Sequence, residues 1–366
     1  MRIRGEKEGL FEVGQSVMRV ASSRATLPVL GGVRIVASKE GVEFAATDLE
    51  MFVSVDGDFV VEEEGSVAVP GRLLGDILRS LPDGRVSIVG TGAEVRIESG
   101  SAEFALSAFP VTDFPEIPQV SVEEVTRAQG SELAKALRQV VRAAGTDEAR
   151  PVLTGVLWVA EDGLLRLVAT DSYRLAIREV AIKEGPTEGM AVVPGRALAE
   201  FGRHLAGIGD GQAEVRLGDS QAQFGAGKTM LVTRLIEGEF PNYRKLIPEG
   251  YHNRLTVNRD ALKETVDRVG LIAQANTPIK LHLGSELKVT AVESGVGEAS
   301  ETVPDADYQG EEMVIGFNPR FLGDGLEGAE TEKVVLEVGD PTKPGLVKGE
   351  DREDFLYLVM PVRLTR

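Results

Sequence analysis

The chain has 366 residues, 42% hydrophobic and 27% charged, which is ordinary globular usage, and no run reaches the 18 or so apolar residues of a membrane helix. Asp and Glu number 58 against 40 Lys and Arg, a net charge of −18 that argues against a nucleic-acid partner only if the charge is evenly spread. Cysteine is absent, which excludes disulfides and thiolate metal sites, and the start at Met1-Arg2-Ile3-Arg4-Gly5 has no apolar leader, so a cytoplasmic location is expected.

In chain order, Leu10 to Val20 has helical spacing, and alternating runs follow around Val33 and Ile35, Val42 and Phe44, and Met51, Val53 and Val55. A short amphipathic helix is predicted over 72–80, then three more alternating runs around Val86, Val95 and Phe104, punctuated by Gly90, Gly92 and Gly100. The order repeats with a helix from Ser131 to Ala144, strands from Val156, a helix over 196–204, and strands around Val215, Phe224 and Val232. Helices over 258–274 and 318–330 belong to a third pass. Each pass reads helix, three strands, helix, three strands. The fold class is α+β, with antiparallel sheets and two helices per copy sharing one face.

The passes are copies of one another. Val69-Pro70-Gly71-Arg72, Val193-Pro194-Gly195-Arg196 and Phe317-Asn318-Pro319-Arg320 place their arginines 124 residues apart. Leu27-Pro28-Val29-Leu30 matches Arg150-Pro151-Val152-Leu153, and Ala46-Thr47-Asp48 matches Ala169-Thr170-Asp171, both displaced by 123. Phe114-Pro115, Phe240-Pro241 and Met360-Pro361 mark the ends of the copies. The expected domains are 1–121, 125–248 and 249–366, each large enough for its own core.

One helix bears on the charge question. With Ser131 read as its N-cap, Leu133, Leu137, Val140 and Ala144 form an apolar face, and Lys135, Arg138 and Arg142 gather opposite them. A basic stripe in an acidic chain suggests that positive charge is segregated to one surface. Other helices give mixed signals: Arg72 and Arg79 accompany Asp76, Arg196 and Arg203 accompany Glu200, and the third copy's helices balance or exceed their cations with acids.

No catalytic constellation emerges. Gly225-Ala226-Gly227-Lys228-Thr229 resembles the end of a phosphate-binding loop, but the earlier glycine of that pattern is Ala222 and the residues after it alternate like a strand, so a hairpin turn is expected. Asp48 and Asp171 read as aspartates capping turns at strand ends. His204, His252 and His282 are too scattered for a zinc motif, and no metal or cofactor is expected.

The threefold repeat, the stretch Val168-Ala169-Thr170-Asp171-Ser172-Tyr173-Arg174-Leu175-Ala176, the segment Glu237-Gly238-Glu239-Phe240-Pro241-Asn242-Tyr243-Arg244 and the terminal Tyr357-Leu358-Val359-Met360-Pro361-Val362-Arg363-Leu364 together resemble the bacterial sliding clamp, the beta subunit of DNA polymerase III. The resemblance runs the whole length. It implies a non-catalytic processivity factor: a head-to-tail homodimer ring of six "DNA clamp" domains, helices lining a hole around double-stranded DNA, sheets outside. Sparse cations would then supply weak, sequence-independent attraction while topology supplies retention. The DNA-facing residues it implies are Arg24, Arg72, Lys135, Arg138, Arg142, Arg150, Arg196 and Arg203.

The resemblance further implies a pocket between copies two and three for short peptides of the replicative polymerase alpha subunit, the clamp loader and other clamp-binding-motif proteins. It assigns Leu153, Thr170, Tyr173, Arg174, Leu175, Pro241, Arg244, Leu246, Val359, Met360, Pro361, Val362 and Arg363 to that pocket, with arginines at its rim. Two features depart from the family's usual pattern: the Thr365-Arg366 extension and Ser172-Tyr173 in place of a frequent Gly-His. Ring closure is implied to bring Phe104 and Leu106 of one protomer against Leu271 and Ile272 of the next. Two other readings stay open on the residues alone: a nucleotide-dependent enzyme using Gly225 to Thr229, and a monomeric repeat scaffold that binds only proteins.

Overall fold

The computed structural model describes residues 1–21, 27–186, 188–248, 250–273 and 277–364. Copy one runs β1 (Arg2–Glu6), α1 (Lys7–Met18), β2 (Gly32–Ser38), β3 (Gly41–Thr47), β4 (Met51–Gly57), β5 (Val60–Glu63), β6 (Gly65–Pro70), α2 (Gly71–Ser80), β7 (Arg85–Gly90), β8 (Glu94–Ser99) and β9 (Ala102–Ser107). Copy two runs β10 (Thr126–Gln129), α3 (Gly130–Val140), β11 (Gly155–Glu161), β12 (Leu164–Thr170), β13 (Arg174–Glu184), β14 (Gly189–Pro194), α4 (Gly195–Ala206), β15 (Gln212–Leu217), β16 (Gln221–Ala226) and β17 (Thr229–Arg234). Copy three runs β18 (Asn253–Asn258), α5 (Arg259–Gly270), β19 (Ile279–Leu283), β20 (Leu287–Glu293), β21 (Gly297–Val303), β22 (Asp307–Gln309), β23 (Met313–Phe317), α6 (Pro319–Ala329), β24 (Lys333–Val338), β25 (Gly345–Gly349) and β26 (Phe355–Val359).

Within the half-sheets of the described residues the strand pairing is antiparallel, and each copy builds two half-sheets. The first has the order β6-β2-β3-β4 in copy one, β14-β11-β12-β13 in copy two and β23-β19-β20-β21 in copy three. The second is headed by the strand that precedes the copy's first helix: β1-β7-β8-β9, β10-β15-β16-β17 and β18-β24-β25-β26. The chain packs as two compact units that cut across the copies. They are Met1–Ser131 with Arg203–Leu235, and Glu132–Gly202 with Ile236–Arg366.

In the first unit β4 pairs β17, from Met51 opposite Thr233 to Val55 opposite Thr229. In the second, β13 pairs β26, from Arg174 opposite Val359 to Arg178 opposite Phe355. Both junctions join the last strand of a first half-sheet to the last strand of the next copy's second half-sheet. The repeat therefore extends to how its members are sewn together.

The helices bury one stripe each. In α2 this is Leu74, Ile77 and Leu78, and in α5 it is Leu262, Val266 and Val269. The Asn258 side chain caps α5 by accepting from Ala261 N at 3.0 Å, and Asn318 does the same for α6 with Pro319 at its first position. Gly325 and Gly328 let α6 lie close on β26: a Cβ there would stand 2.5 Å from Tyr357 and 2.6 Å from Phe355.

The helix expected over Ser131–Ala144 is shorter. It starts at Gly130, whose N–H donates to Gly211 O at 2.8 Å, so Ser131 lies inside the first turn and is not its cap. After Val140 the chain tightens into a 3-10 turn over Val141–Ala143. Two adjacent β-branched residues disfavour continuation, and Gly145 N–H is drawn to Leu153 O at 2.7 Å.

Candidate functional sites

Two turns carry the repeated aspartates. Asp171 Oδ1 accepts from the N–H of Tyr173 at 2.9 Å and of Arg174 at 3.0 Å, while Ser172 takes φ +79° and Thr170 Oγ1 donates to Arg174 O at 2.6 Å. Asp48 Oδ1 accepts from Glu50 N–H at 3.1 Å and Met51 N–H at 2.8 Å, with Leu49 at φ +77° and Thr47 Oγ1 on Met51 O at 2.9 Å. These are turn caps, as the sequence suggested. The Gly225 to Thr229 segment is the hairpin turn of β16 and β17, with Ala226 opposite Thr229 and Gly227 at φ +58°. Its Lys228 ammonium is bound to Asp58, so neither a helix nor a phosphate cradle follows from the motif. Among the described residues no cluster of three His, Asp or Glu is placed to hold a metal.

The basic stripe of α3 meets acids. Lys135 Nζ reaches Glu132 at 2.9 Å and Arg138 reaches Glu330 at 2.9 Å. Arg142, in the turn after α3, makes a two-pronged contact with Glu327 at 2.6 Å and lies 4.0 Å from Asp324. Gln139 Nε2 adds a bond to Gly328 O at 2.6 Å. Glu132 lies on α3 itself, whereas Glu330, Glu327, Asp324 and that carbonyl belong to α6 or its end, so Arg138, Arg142 and Gln139 settle toward the negative end of the α6 dipole. The hydrogen bond from Arg142 holds the Glu327 carboxyl below its usual range, and the one from Lys135 does the same to Glu132. An uncommitted basic face, as read from the wheel, is thus not what the fold presents.

The other cations differ in how far they are committed. Arg72 is 93% exposed with Asp76 only at 4.0 Å. Arg196 and Arg203 are exposed on α4. Arg150 is held by Asp147 at 3.0 Å and Ser172 Oγ at 3.1 Å. Arg24 lies outside the described residues, as do Thr365 and Arg366.

The β13–β26 junction brings together most of the expected pocket. Leu175, Leu358 and Leu346 stand opposite one another across β13, β26 and β25. They join one apolar cluster with Leu157, Val168, Ile177, Val192 and Tyr243, flanked by Phe240, Ile247 and Tyr251. Tyr173 O accepts from Met360 N–H at 2.8 Å, which sets Met360, 40% exposed, beside Tyr173. Leu246, 48% exposed, ends the 3-10 turn that begins at buried Tyr243. Thr170 and Leu153 are buried, Pro241 and Arg363 are exposed, and Pro361 and Val362 are half-buried.

One of these residues corrects the expectation. Arg174 is not a rim arginine: it is buried, bonded to Asp171 at 2.9 Å and to Asp324, with its guanidinium 4.5 Å over the Phe321 ring. Val359 is buried opposite Arg174 in the same junction as Leu175 and Leu358. Arg244 does sit at the surface, paired with Glu161 at 2.7 Å. Leu346, Leu358 and Ile247 join the same apolar cluster although the sequence reading did not assign them to the pocket. For Leu346 only the cross-strand register could have revealed this, because the strand that supplies it carries no motif.

At two further sheet ends, β9 pairs only β8 along its length and β21 only β20 among the described residues. Phe104 on β9 is half-buried, but Leu106 is 6% exposed and already serves the chain's own core, so only its backbone is left for an interface. Leu271 is 83% exposed and Ile272 half-buried just past α5.

The chain matches three family models in succession: the DNA polymerase III beta subunit N-terminal domain over residues 1–118, its central domain over 128–242 and its C-terminal domain over 244–363. It is 35% identical to the beta sliding clamp of Streptomyces coelicolor, with both chains covered in full, and 32% identical to that of Staphylococcus epidermidis over 94% of this chain and 95% of the relative. A solved DNA polymerase sliding clamp from Bacillus subtilis superposes with a TM-score of 0.91 at 29% identity, covering all of both chains. A Pseudomonas aeruginosa sliding clamp bound to griselimycin gives 0.92 at 30% identity, again over all of both chains.

Proposed function

This chain belongs to the DNA polymerase III beta-subunit family, the beta sliding clamps, and is a non-catalytic processivity factor of DNA replication; we propose that it acts as a closed ring of two protomers joined head to tail. The observation that carries the ring is the half-sheet pattern. Within the chain, two first half-sheets end on a partner's last strand, β4 on β17 and β13 on β26. One first half-sheet, ending at β21, and one second half-sheet, ending at β9, are left over. Pairing β21 of one protomer with β9 of the next continues the same rule, covers these two edges and closes after two protomers of three copies each. Exposed Leu271 would be covered at that joint.

DNA and a polymerase are the partners of this family. The cations proposed to meet the duplex are Arg24, Arg72, Lys135, Arg138, Arg142, Arg150, Arg196 and Arg203. Arg72, 93% exposed with Asp76 only at 4.0 Å, ranks above Lys135, paired within α3 to Glu132, and above Arg138 and Arg142, paired with α6, which are largely neutralised. A clamp that slides benefits from this. Weak attraction in an acidic protein lets the duplex move without dwelling.

The Leu175, Leu358 and Leu346 row, with Leu246, Pro241 and Met360 above it, is proposed to receive short peptides of the polymerase alpha subunit, clamp loader and other partners. An apolar floor with an adaptable methionine and a cationic rim of Arg244 and Arg363 suits a peptide with aliphatic anchors. Leu246→Lys or Met360→Lys should weaken capture of a polymerase alpha subunit by about 30-fold, a hot-spot loss of about 2 kcal/mol, with the dimer intact. Unchanged capture would refute the assignment.

A further inference from the structure

The first unit contains a cavity of about 230 Å³ at the β4–β17 junction. Its position follows from the repeat. Phe52 stands opposite Val232 across that junction as Leu175 stands opposite Leu358 across the other. Phe114 packs against the first pair as Phe240 packs against the second. The same capped turn, Thr47-Asp48-Leu49, forms one wall, and Leu49 is half exposed at its mouth.

The two junctions differ in rim charge. Around the cavity lie Glu50, Glu116 and Arg234, all exposed, and none has a side-chain partner among the described residues. With 58 acids against 40 cations, unpaired carboxylates are common in this chain, but Glu50 and Glu116 stand together on the rim of one apolar cavity. An apolar floor of Met51, Phe52 and Val232 beneath two unpaired carboxylates calls for an apolar side chain next to a cation, and the Arg234 fork can take a backbone carbonyl.

We propose that this cavity is a second peptide site, for a short linear segment carrying an aliphatic anchor beside lysine or arginine. It rests on the reading of the β13–β26 junction as a peptide pocket for the class of ligand, but its charge preference is opposite. The clamp would thus hold two kinds of partner at two related junctions without competition between them.

The test uses the full chain labelled with [methyl-13C]methionine, because Met51 lines this cavity and Met360 the other surface. The probes are Ac-Gly-Lys-Leu-Leu-Lys-Gly-NH2 and its counterpart with glutamate for lysine. The basic peptide should shift the Met51 methyl saturably, the acidic one should not, and Glu50→Lys with Glu116→Lys should weaken the basic peptide about tenfold, two exposed charge contacts being lost. Both substitutions are at exposed positions, and an unchanged spectrum elsewhere shows that the fold survives. A Met51 signal unmoved at millimolar peptide, equal response to both peptides, or unchanged affinity in the charge-reversed variant overturns the proposal. Shifts confined to Met360 overturn it while leaving the other pocket standing, and charge-selective shifts confined to Met51 uphold it whatever becomes of that pocket.

Discussion

Arg142 and Glu327 meet end to end, Nη1 to Oε2 and Nη2 to Oε1, both at 2.6 Å. The geometry is the forked guanidinium–carboxylate pair, the arrangement in which an exposed ion pair is most specific. It joins the turn after α3 to α6 and decides how much of the basic stripe is available to DNA.

Neutralising the acid partner should therefore strengthen DNA attraction. Glu327→Gln with Glu330→Gln frees Arg142 and Arg138, and the salt dependence of duplex binding should steepen by about one to two phosphate equivalents, seen as the slope of log affinity against log salt. Arg142→Ala should leave that slope nearly unchanged and cost about 0.2 to 1 kcal/mol of stability, while Arg72→Ala should lower it. A larger effect of Arg142→Ala than of Arg72→Ala would contradict the ranking.

The same pair sets an acid limit. Glu327 and Glu132 titrate below the ordinary carboxylate range because Arg142 and Lys135 donate to them. Their contribution to stability is complete above the unfolded value of about 4.5 and is lost as pH falls through the lower folded value. Denaturant midpoints followed by the single tryptophan, Trp158, should fall below about pH 4.5. In Glu327→Gln that fall should be shallower, and an equal slope would remove Glu327 from the account.

Arg174 and Tyr173 are neighbours with opposite roles. Arg174 is buried between Asp171 and Asp324, so Arg174→Ala strands their charges and should cost about 3 to 5 kcal/mol of stability. Tyr173 is 60% exposed and stacks on Phe321 with ring centroids 6.4 Å apart. Tyr173→Ala should leave chemical denaturation within about 1 kcal/mol while weakening peptide capture, aromatic pairs being worth about that much. A severe loss of stability in Tyr173→Ala, or none in Arg174→Ala, would reverse these assignments.

These contrasts show what sequence could supply. The 124-residue spacing of Arg72, Arg196 and Arg320, the capped turns at Asp48 and Asp171 and the Gly227 hairpin were legible because each rests on local chemistry repeated in the chain. The opening strands were not: Arg2–Glu6 and Thr126–Gln129 are short and mostly polar or small, and they become strands only by pairing β7 and β15. Nor could a helical wheel show that Arg138 would find Glu330, 192 residues away, or that Arg174 would turn inward to Asp324. That Leu346 would stand beside Leu358 and Leu175 became visible only once the register of three strands was fixed.

The protomer joint offers a sharp test in solution. Leu271 is 83% exposed in the chain alone, and Leu271→Asp should bury a charge at the joint, shifting sedimentation at micromolar concentration from dimer to monomer with folding retained. A dimer undisturbed by this change would place the joint elsewhere.

The claim of a closed ring is tested most directly by retention on DNA of defined topology. The protein is loaded onto a nicked circle by a bacterial clamp loader, freed of the loader, and followed before and after the circle is cut. The account predicts that it stays on the intact circle and leaves within minutes of linearisation; equal retention on circular and linear DNA, or rapid loss from both, would contradict it.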